Sequence, residues 1–188
     1  MNAPALAPWH LHKAAAAVRA GGIIACPTEA VWGISCDPLN QMACERLIAL
    51  KRRDWRKGVI VVAARFEDLP SFVLRPDDIA MQRARASWPG PNTWVFPVSA
   101  DAPQWITGAH PSLAVRITAH PLLRALCARC GPLVSTSANL SGRAPARTIS
   151  EVRLQLGKQL DYIVPGALGG RSTPTRIRDV LSGEVLRA

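Results

Sequence analysis

Apolar positions along the chain follow two rhythms. Short β-branched or aliphatic runs ended by Pro, Gly or Ser read as strands, and longer stretches with apolar residues three and four apart read as helices. An Ala-rich segment from Leu11 to Ala20 stops at Gly21 and Gly22, as a helix does. Ile23 to Cys26 then reads as a buried strand ended by Pro27. Asn40 is placed to cap a helix over Gln41 to Lys51, where Met42, Leu47 and Leu50 fall near one face. Val59 to Ala63 follows as a β-branched interior strand. Pro76, Asp77 and Asp78 open a helix that runs to about Ser87, and the turn residues WPGPNT lead into a strand near Trp94 to Phe96. Leu113 to Ile117 and Leu133 to Ser135 read as strands on either side of a helix from Pro121 to near Gly131. Thr148 with Glu151 forms a capping box for another helix, and Thr175 to Leu181 with Glu184 to Arg187 reads as a hairpin turning at Ser182 and Gly183.

Strands alternating with helices predict an α/β fold: a single-domain, twisted open mixed sheet with flanking helices. The sheet must be mixed because the terminal hairpin is antiparallel and several connections are short. With 188 residues, no internal repeat, and no linker longer than the polar passage from Ser99 to Ser112, one domain spanning 1–188 is expected. A chain of this size buries about 70% of its unfolded surface, so folding needs neither disulfides nor a structural metal. The longest apolar stretch, Val59 to Ala64, falls far short of the roughly 20 residues of a membrane span. No early basic region precedes Lys13 and Arg19, which interrupt the only apolar stretch that could serve a signal peptide. Five scattered cysteines, an odd number, suit a reducing compartment, and a cytoplasmic location away from membranes is expected.

Charge changes the picture. Lys and Arg total 23 against 13 Asp and Glu, a formal net charge of +10, while 48% hydrophobic content excludes a disordered basic tail. The partner is polyanionic: nucleic acid, nucleotide phosphates or an anionic membrane surface, among which charge alone does not choose. The densest run holds Arg46, Lys51, Arg52, Arg53, Arg56 and Lys57 against a single anion, Asp54. In isolation such a run is most often a solvated helix end. Here it lies between a helix and a buried strand, where loops line ligand crevices in open α/β sheets, so Lys51 and Arg53 are placed to clamp phosphate oxygens. STSANLSG, from Ser135 to Gly142, puts small hydrogen-bonding groups directly after a strand, as either a polar turn or an anion cradle would. CPTEAVWGISCD, from Cys26 to Asp37, places Thr28 and Glu29 at a strand's carboxyl end, where an ordinary strand exit is the competing reading.

Several chemistries are set aside. GALGGRST, from Gly166 to Thr173, has Gly170 displaced by one place and Arg171 where a P-loop needs lysine. Cys127 and Cys130 form one CxxC toward a helix end with no second metal-ligand pair. His10, His12, His110 and His120 fit neither HExxH nor a GxSxG partner, and the dispersed tryptophans make no RNA-recognition strand motif.

Taken in order, GGIIACPTEAVWG, KRR, WPGPNT, LAVRI, STSANLSGR and GGRST resemble the YrdC-like family in its short bacterial form, across nearly the whole chain. The most specific element is a KxR pair coupled to a distant SxN: Lys51 and Arg53 with Ser137 and Asn139. Longer members carry a further C-terminal domain, which is not expected in a chain that ends at Ala188. The resemblance implies condensation of L-threonine, bicarbonate and ATP, with Mg²⁺, into threonylcarbamoyl-adenylate and pyrophosphate. That is the first step toward N6-threonylcarbamoyladenosine at position 37 of tRNA. It implies that Lys51, Arg53 and Lys57 hold phosphates and that Ser137 and Asn139 bind the nucleotide, with Ser112 and Arg187 as further nucleotide contacts. Thr28, Arg116, Ser135 and Ser172 would surround the threonine, and no residue is assigned to a metal. Downstream partners would be the proteins that transfer the threonylcarbamoyl group to tRNA, and tRNA or double-stranded RNA is a further candidate. The competing reading is a noncatalytic protein that binds double-stranded RNA or ribosome precursors through phosphate contacts. The chain departs from the commonest pattern at Asp54 and Gly58, where proline is frequent, at Val62 in place of histidine, at Trp32 in place of Tyr or Phe, and at Ser112 in place of threonine. The Val62 change is expected to alter the threonine pocket.

Overall fold

A computed structural model describes residues 8–173 and 175–187. Residues 1–7, part of the stretch read above for targeting, lie outside it. The described residues form helices α1 (Pro8–Arg19), α2 (Gln41–Leu50), α3 (Asp78–Arg85), α4 (Gln104–Thr107), α5 (Pro121–Cys130) and α6 (Ile149–Leu156) around one sheet. Its strands are β1 (Ile24–Pro27), β2 (Trp32–Ser35), β3 (Ile60–Ala63), β4 (Asn92–Pro97), β5 (Ser112–Ile117), β6 (Leu133–Ser137), β7 (Tyr162–Ile163), β8 (Arg176–Asp179) and β9 (Val185–Arg187). Their spatial order is β7-β1-β2-β6-β3-β5-β4-β8-β9. The pairs β1·β7, β3·β5 and β4·β8 are parallel and the others antiparallel, so the sheet is mixed as expected. Among the described residues, no helix is long and apolar enough to cross a membrane.

The pleat sorts successive side chains onto opposite faces. Ile23, Ala25, Ile34, Val61, Ala63, Val115 and Val134 enter a large core with Leu47 of α2, Met81 of α3, Ile106 of α4 and Leu156 of α6. Their alternating neighbours Ile24, Cys26, Val62 and Leu133 pack beneath Ala14, Ala15 and Val18 of α1 and Leu123 and Leu126 of α5. The small alanines let α1 lie against α5 and the sheet, so these two short helices cover only part of the second face. On that same pleat phase, past Val62 and Leu133, come Ile60, Ser135 and Ser137. A cavity opens there.

Capping follows the expected pattern. The Asn40 side chain accepts from Ala43 N, Asp77 accepts from Ala80 N, and Thr148 and Glu151 complete their capping box. Three elements were not anticipated: β2, the single-turn α4 and the two-residue β7. WGIS becomes a strand because Thr28 to Val31 turn the chain back, with Thr28 N and Oγ1 both donating to Val31 O at 3.2 and 2.7 Å. Gly33 packs tightly there: a Cβ at that position would stand 3.1 Å from Thr28 Cγ2.

Candidate active site

The helix-to-strand link after α2 separates the three cations of KRR. Arg52 N donates to Ala49 O at 2.9 Å and Arg53 N to Ile48 O at 3.1 Å, the paired bonds of a Schellman ending, with Arg52 in the left-handed conformation at φ 51°. This reversal turns Lys51 inward, leaves Arg52 exposed and brings Arg53 to the wall of a cavity of about 390 Å³. Arg53 NH2 donates to Gly58 O at 3.1 Å, which closes the segment that also carries Lys57 to the rim.

The cavity lies over the middle of the sheet. Gly33 of β2, Ile60 of β3, Ala114 and Arg116 of β5, and Ser135 and Ser137 of β6 line it. Thr28 borders it from the β1–β2 turn, and Thr175, Ile177 and Arg187 from the terminal hairpin. No carboxylate stands among the described lining residues, whereas Arg53, Lys57, Arg116 and Arg187 all do. Burial, followed by the neighbouring charges of Arg53 and Arg116, holds the Arg187 guanidinium below its ordinary pKa, and burial does the same to Arg53. Such crowding of like charge is relieved by an anion. Arg53 Nε and Arg116 Nε are buried and have no partner among the described residues.

Lys51 has a different place from the one expected. Its ammonium donates to Ser137 O, to Asn139 O at 2.9 Å and to Asn139 Oδ1 at 3.1 Å, and the residue is 4% exposed. Three acceptors use all three donors of an ammonium, so none is left for phosphate. Asn139 is equally committed: Oδ1 also accepts from Ser137 Oγ at 2.6 Å, and Nδ2 donates to Leu140 O at 3.0 Å and Arg143 O at 2.6 Å. Ser141 N donates to Lys51 O at 3.0 Å. The KxR and SxN motifs do meet, but they divide: Arg53 and Ser137 face the cavity, while Lys51 and Asn139 tie the two segments together behind it. Burial, with Arg53 second, pushes Lys51 down to about 8, so it remains mostly charged at neutral pH.

Of the remaining expected residues, Lys57, Arg187, Thr28, Arg116 and Ser135 line the same cavity. Ser112 and Ser172 are outside its lining. Ser112 begins β5 in register with Pro97, and Ser172 is exposed, its carbonyl accepting from Arg147 at 3.1 Å. Val62 is likewise outside the lining: it packs beneath α1 and α5, which corrects the expectation that it shapes the threonine pocket.

Sequence reasoning left Glu29 unassigned. Its Oε2 lies 3.6 Å from Arg116 NH2, and its Oε1 accepts from Thr118 Oγ1 at 2.7 Å and Ala119 N at 3.2 Å. Burial opposes its ionisation, yet Arg116 and the Thr118 hydroxyl hold the carboxyl below the usual carboxylate range. Burial also lowers the pKa of nearby His120. Its Nε2 donates to Ala167 O at 3.1 Å, leaving Nδ1 as the acceptor nitrogen. The signal that could have found Glu29 is a lone acid at a strand exit in a strongly cationic chain.

A mixed α/β sheet that offers guanidinium and hydroxyl groups to a carboxylate-free cavity defines a protein for phosphate-bearing and carboxylate-bearing small molecules. The chain belongs to the Sua5–YciO–YrdC family, whose sequence model, described as telomere recombination, matches residues 16–188. It is 51% identical over 174 residues to a Pseudomonas aeruginosa (strain UCBPP-PA14) protein named threonylcarbamoyl-AMP synthase, covering 93% of this chain and 94% of that one. A Halorhodospira halophila protein of the same name is 50% identical over 185 residues, covering 98% and 97%. Among solved structures, P. abyssi Sua5 complexed with L-threonine aligns with TM-score 0.88 and 29% identity, covering 94% of this chain and 52% of that chain. This chain therefore spans about half the length of that protein. E. coli YciO shares the fold at TM-score 0.80 and 23% identity, covering 95% and 90%.

Proposed function

We propose that this protein is a threonylcarbamoyl-AMP synthase, a nucleotidyltransferase that uses L-threonine, bicarbonate and ATP. The observation that carries the reading is the convergence of Arg53, Lys57, Arg116 and Arg187 on one hydroxyl-lined cavity without a carboxylate. A threonine carbamate already carries its nucleophile. Its oxygen attacks the α-phosphorus, the bond to the bridging oxygen breaks, and pyrophosphate leaves with the electron pair. Such a reaction needs positioning and charge neutralisation more than an activated side chain. Arg53, Lys57 and Arg187 are assigned to the phosphates, Arg116 to the threonine carboxylate, and the hydroxyls of Thr28, Ser135 and Ser137 to the polar groups between them.

Mg²⁺ belongs to this reading as part of the MgATP substrate. Among the described residues no group of His, Cys, Asp or Glu is arranged to hold a metal, and the lining offers no acid, so phosphate oxygens and water would supply the ligands. We assign consumption of the unstable adenylate to cytoplasmic proteins that transfer its threonylcarbamoyl group to adenosine 37 of tRNA. The noncatalytic RNA-binding reading is not favoured, because an exposed basic face would satisfy it without guanidinium and hydroxyl groups gathered in one concave cavity.

Purified protein incubated with MgATP, bicarbonate and labelled threonine is expected to yield a labelled adenylate and pyrophosphate, both lost when any one substrate is omitted. Pyrophosphate release that ignores threonine and bicarbonate, or no adenylate at all, would overturn the assignment.

A further inference from the structure

Arg116 is the cavity guanidinium carried by an interior strand of the sheet, β5, and its surroundings explain how it is held. It is 5% exposed, and Glu29, 6% exposed, stands behind it outside the cavity lining. Glu29 is not among the lining residues and its Oε2 is buried 3.6 Å from Arg116 NH2, so its charge acts on Arg116. We propose that Glu29 is a positioning residue for the amino-acid substrate: its carboxylate sets the Arg116 guanidinium at the cavity wall. This rests on the reading that Arg116 receives the threonine carboxylate.

The carboxylate is fixed from several directions. Thr118 Oγ1 and Ala119 N both donate to Oε1, and Thr118 Oγ1 in turn accepts from His120 N at 3.1 Å, so the corner following β5 is built around this group. The Glu29 backbone is anchored as well. Its carbonyl accepts from Arg171 N at 3.0 Å, and Thr28 O accepts from Gly169 N at 2.9 Å. The approach is close enough that a Cβ at Gly169 would lie 2.9 Å from Glu29 Cα. One short segment therefore carries Thr28 at the cavity edge and Glu29 beneath Arg116, with the 165–173 loop strapped across its back.

The geometry also indicates a pull with slack in it. Oε2 faces Arg116 NH2 at 3.6 Å and has no hydrogen-bond partner, and Arg116 Nε has none either. The pair is an ionic restraint without a closed bidentate fork, which leaves guanidinium hydrogens free to bond a second carboxylate on the cavity side. A purely structural ion pair gains most from saturating both partners.

Kinetics on folded variants test this. In Glu29→Gln, the KM for threonine is expected to rise at least about tenfold while the KM for ATP stays within about twofold, because the phosphate-facing Arg53, Lys57 and Arg187 do not touch Glu29. In a cycle with Arg116→Gln, the double variant should match Arg116→Gln alone in threonine KM, since Glu29 acts only through Arg116. Thr118→Val, which keeps both charges, gives a second reading should either glutamine variant fail to fold. It is expected to raise the threonine KM about threefold, again without moving that of ATP. Equal rises in both KM values, additive effects in the cycle, or a wild-type threonine KM in folded Glu29→Gln or Thr118→Val overturns the proposal. Wild-type protein that forms no adenylate overturns the functional reading instead, so the two failures are distinct.

Discussion

Replacing Lys51 by methionine separates a phosphate ligand from a buried tie. Methionine has nearly the reach of lysine without its charge, so the main loss is the three hydrogen bonds to Ser137 O, Asn139 O and Asn139 Oδ1. Asn139 O loses its donor at about 1–3 kcal/mol, while Ser137 O keeps the bond from Asn139 N and Asn139 Oδ1 keeps that from Ser137 Oγ. Against this, the variant no longer buries an ammonium, whose fall from 10.5 to about 8 corresponds to a relief of about 3 kcal/mol at neutral pH. The terms largely cancel, so the net loss should not exceed about 3 kcal/mol and the protein should remain folded. Activity should not survive as well, because the 137–143 turn loses its link to the helix that delivers Arg53. Adenylate formation is expected to fall at least about tenfold. The pH dependence of stability supplies the independent check. A lysine whose folded pKa is depressed binds fewer protons folded than unfolded between about 8 and 10.5, so its unfavourable contribution is present in full below pH 8 and is relieved as pH rises through that window. Urea unfolding of both proteins should show wild type gaining on Lys51→Met by up to about 3 kcal/mol across that range. A flat or falling difference, or wild-type kcat/KM in the folded variant, would refute the reasoning.

Other changes follow from the same geometry. Arg53→Ala should lower adenylate formation at least about tenfold with less than about 1.5 kcal/mol lost in stability, as read by pyrophosphate release and urea unfolding. Gly58→Pro should destabilise by about 3 kcal/mol or more and lower activity, because Gly58 has φ 59° and its N–H donates to Trp55 O at 3.0 Å, neither of which proline permits. Four of the five thiols are buried, so a thiol reagent should label native protein at Cys130 first. Burial raises Cys26 from 9.0 to about 11, so its contribution to stability is whole below pH 9 and lost as pH rises through 11; the stability difference between wild type and Cys26→Ala, read by unfolding at pH 7.5 and 10, should therefore shift against wild type at the higher pH.

The strand and helix pattern was legible wherever a periodic run met a cap. Asn40, Asp77, Thr148 and the Ser182–Gly183 turn all mark ends that the structure keeps. What escaped was set by tertiary contact. WGIS carries a glycine and no clean alternation, and it becomes β2 only by folding back on β1 and pairing with β6. QWIT is one turn long, too short for any period to show. At the site, residue type marked segments that the structure brings to one cavity but could not say which side of the backbone each group takes. Lys51 and Arg53 are two residues apart, and only the reversal at Arg52 decides that one becomes a buried tie and the other lines the cavity.

The departures at Asp54 and Gly58 make sense as one local solution. Asp54 Oδ1 accepts from Arg56 N at 3.0 Å, capping the turn from Trp55 to Lys57. Gly58 then takes the left-handed φ that ends this turn, where a Cβ would stand 2.7 Å from Thr107 O. Val59 N donates to Ile106 O at 2.9 Å and Ala109 N to Arg56 O at 3.0 Å, so the segment is strapped to α4 from both sides. Prolines would stiffen this link by fixing φ. Here an aspartate cap, a glycine and the docking of α4 fix it instead, and Gly58 O, held in that conformation, is the acceptor that orients Arg53. The rigidity that places Arg53 and Lys57 at the cavity is therefore supplied by an element nearly fifty residues further along the chain. That is why two substitutions which look like losses of order in the sequence leave the cationic wall intact.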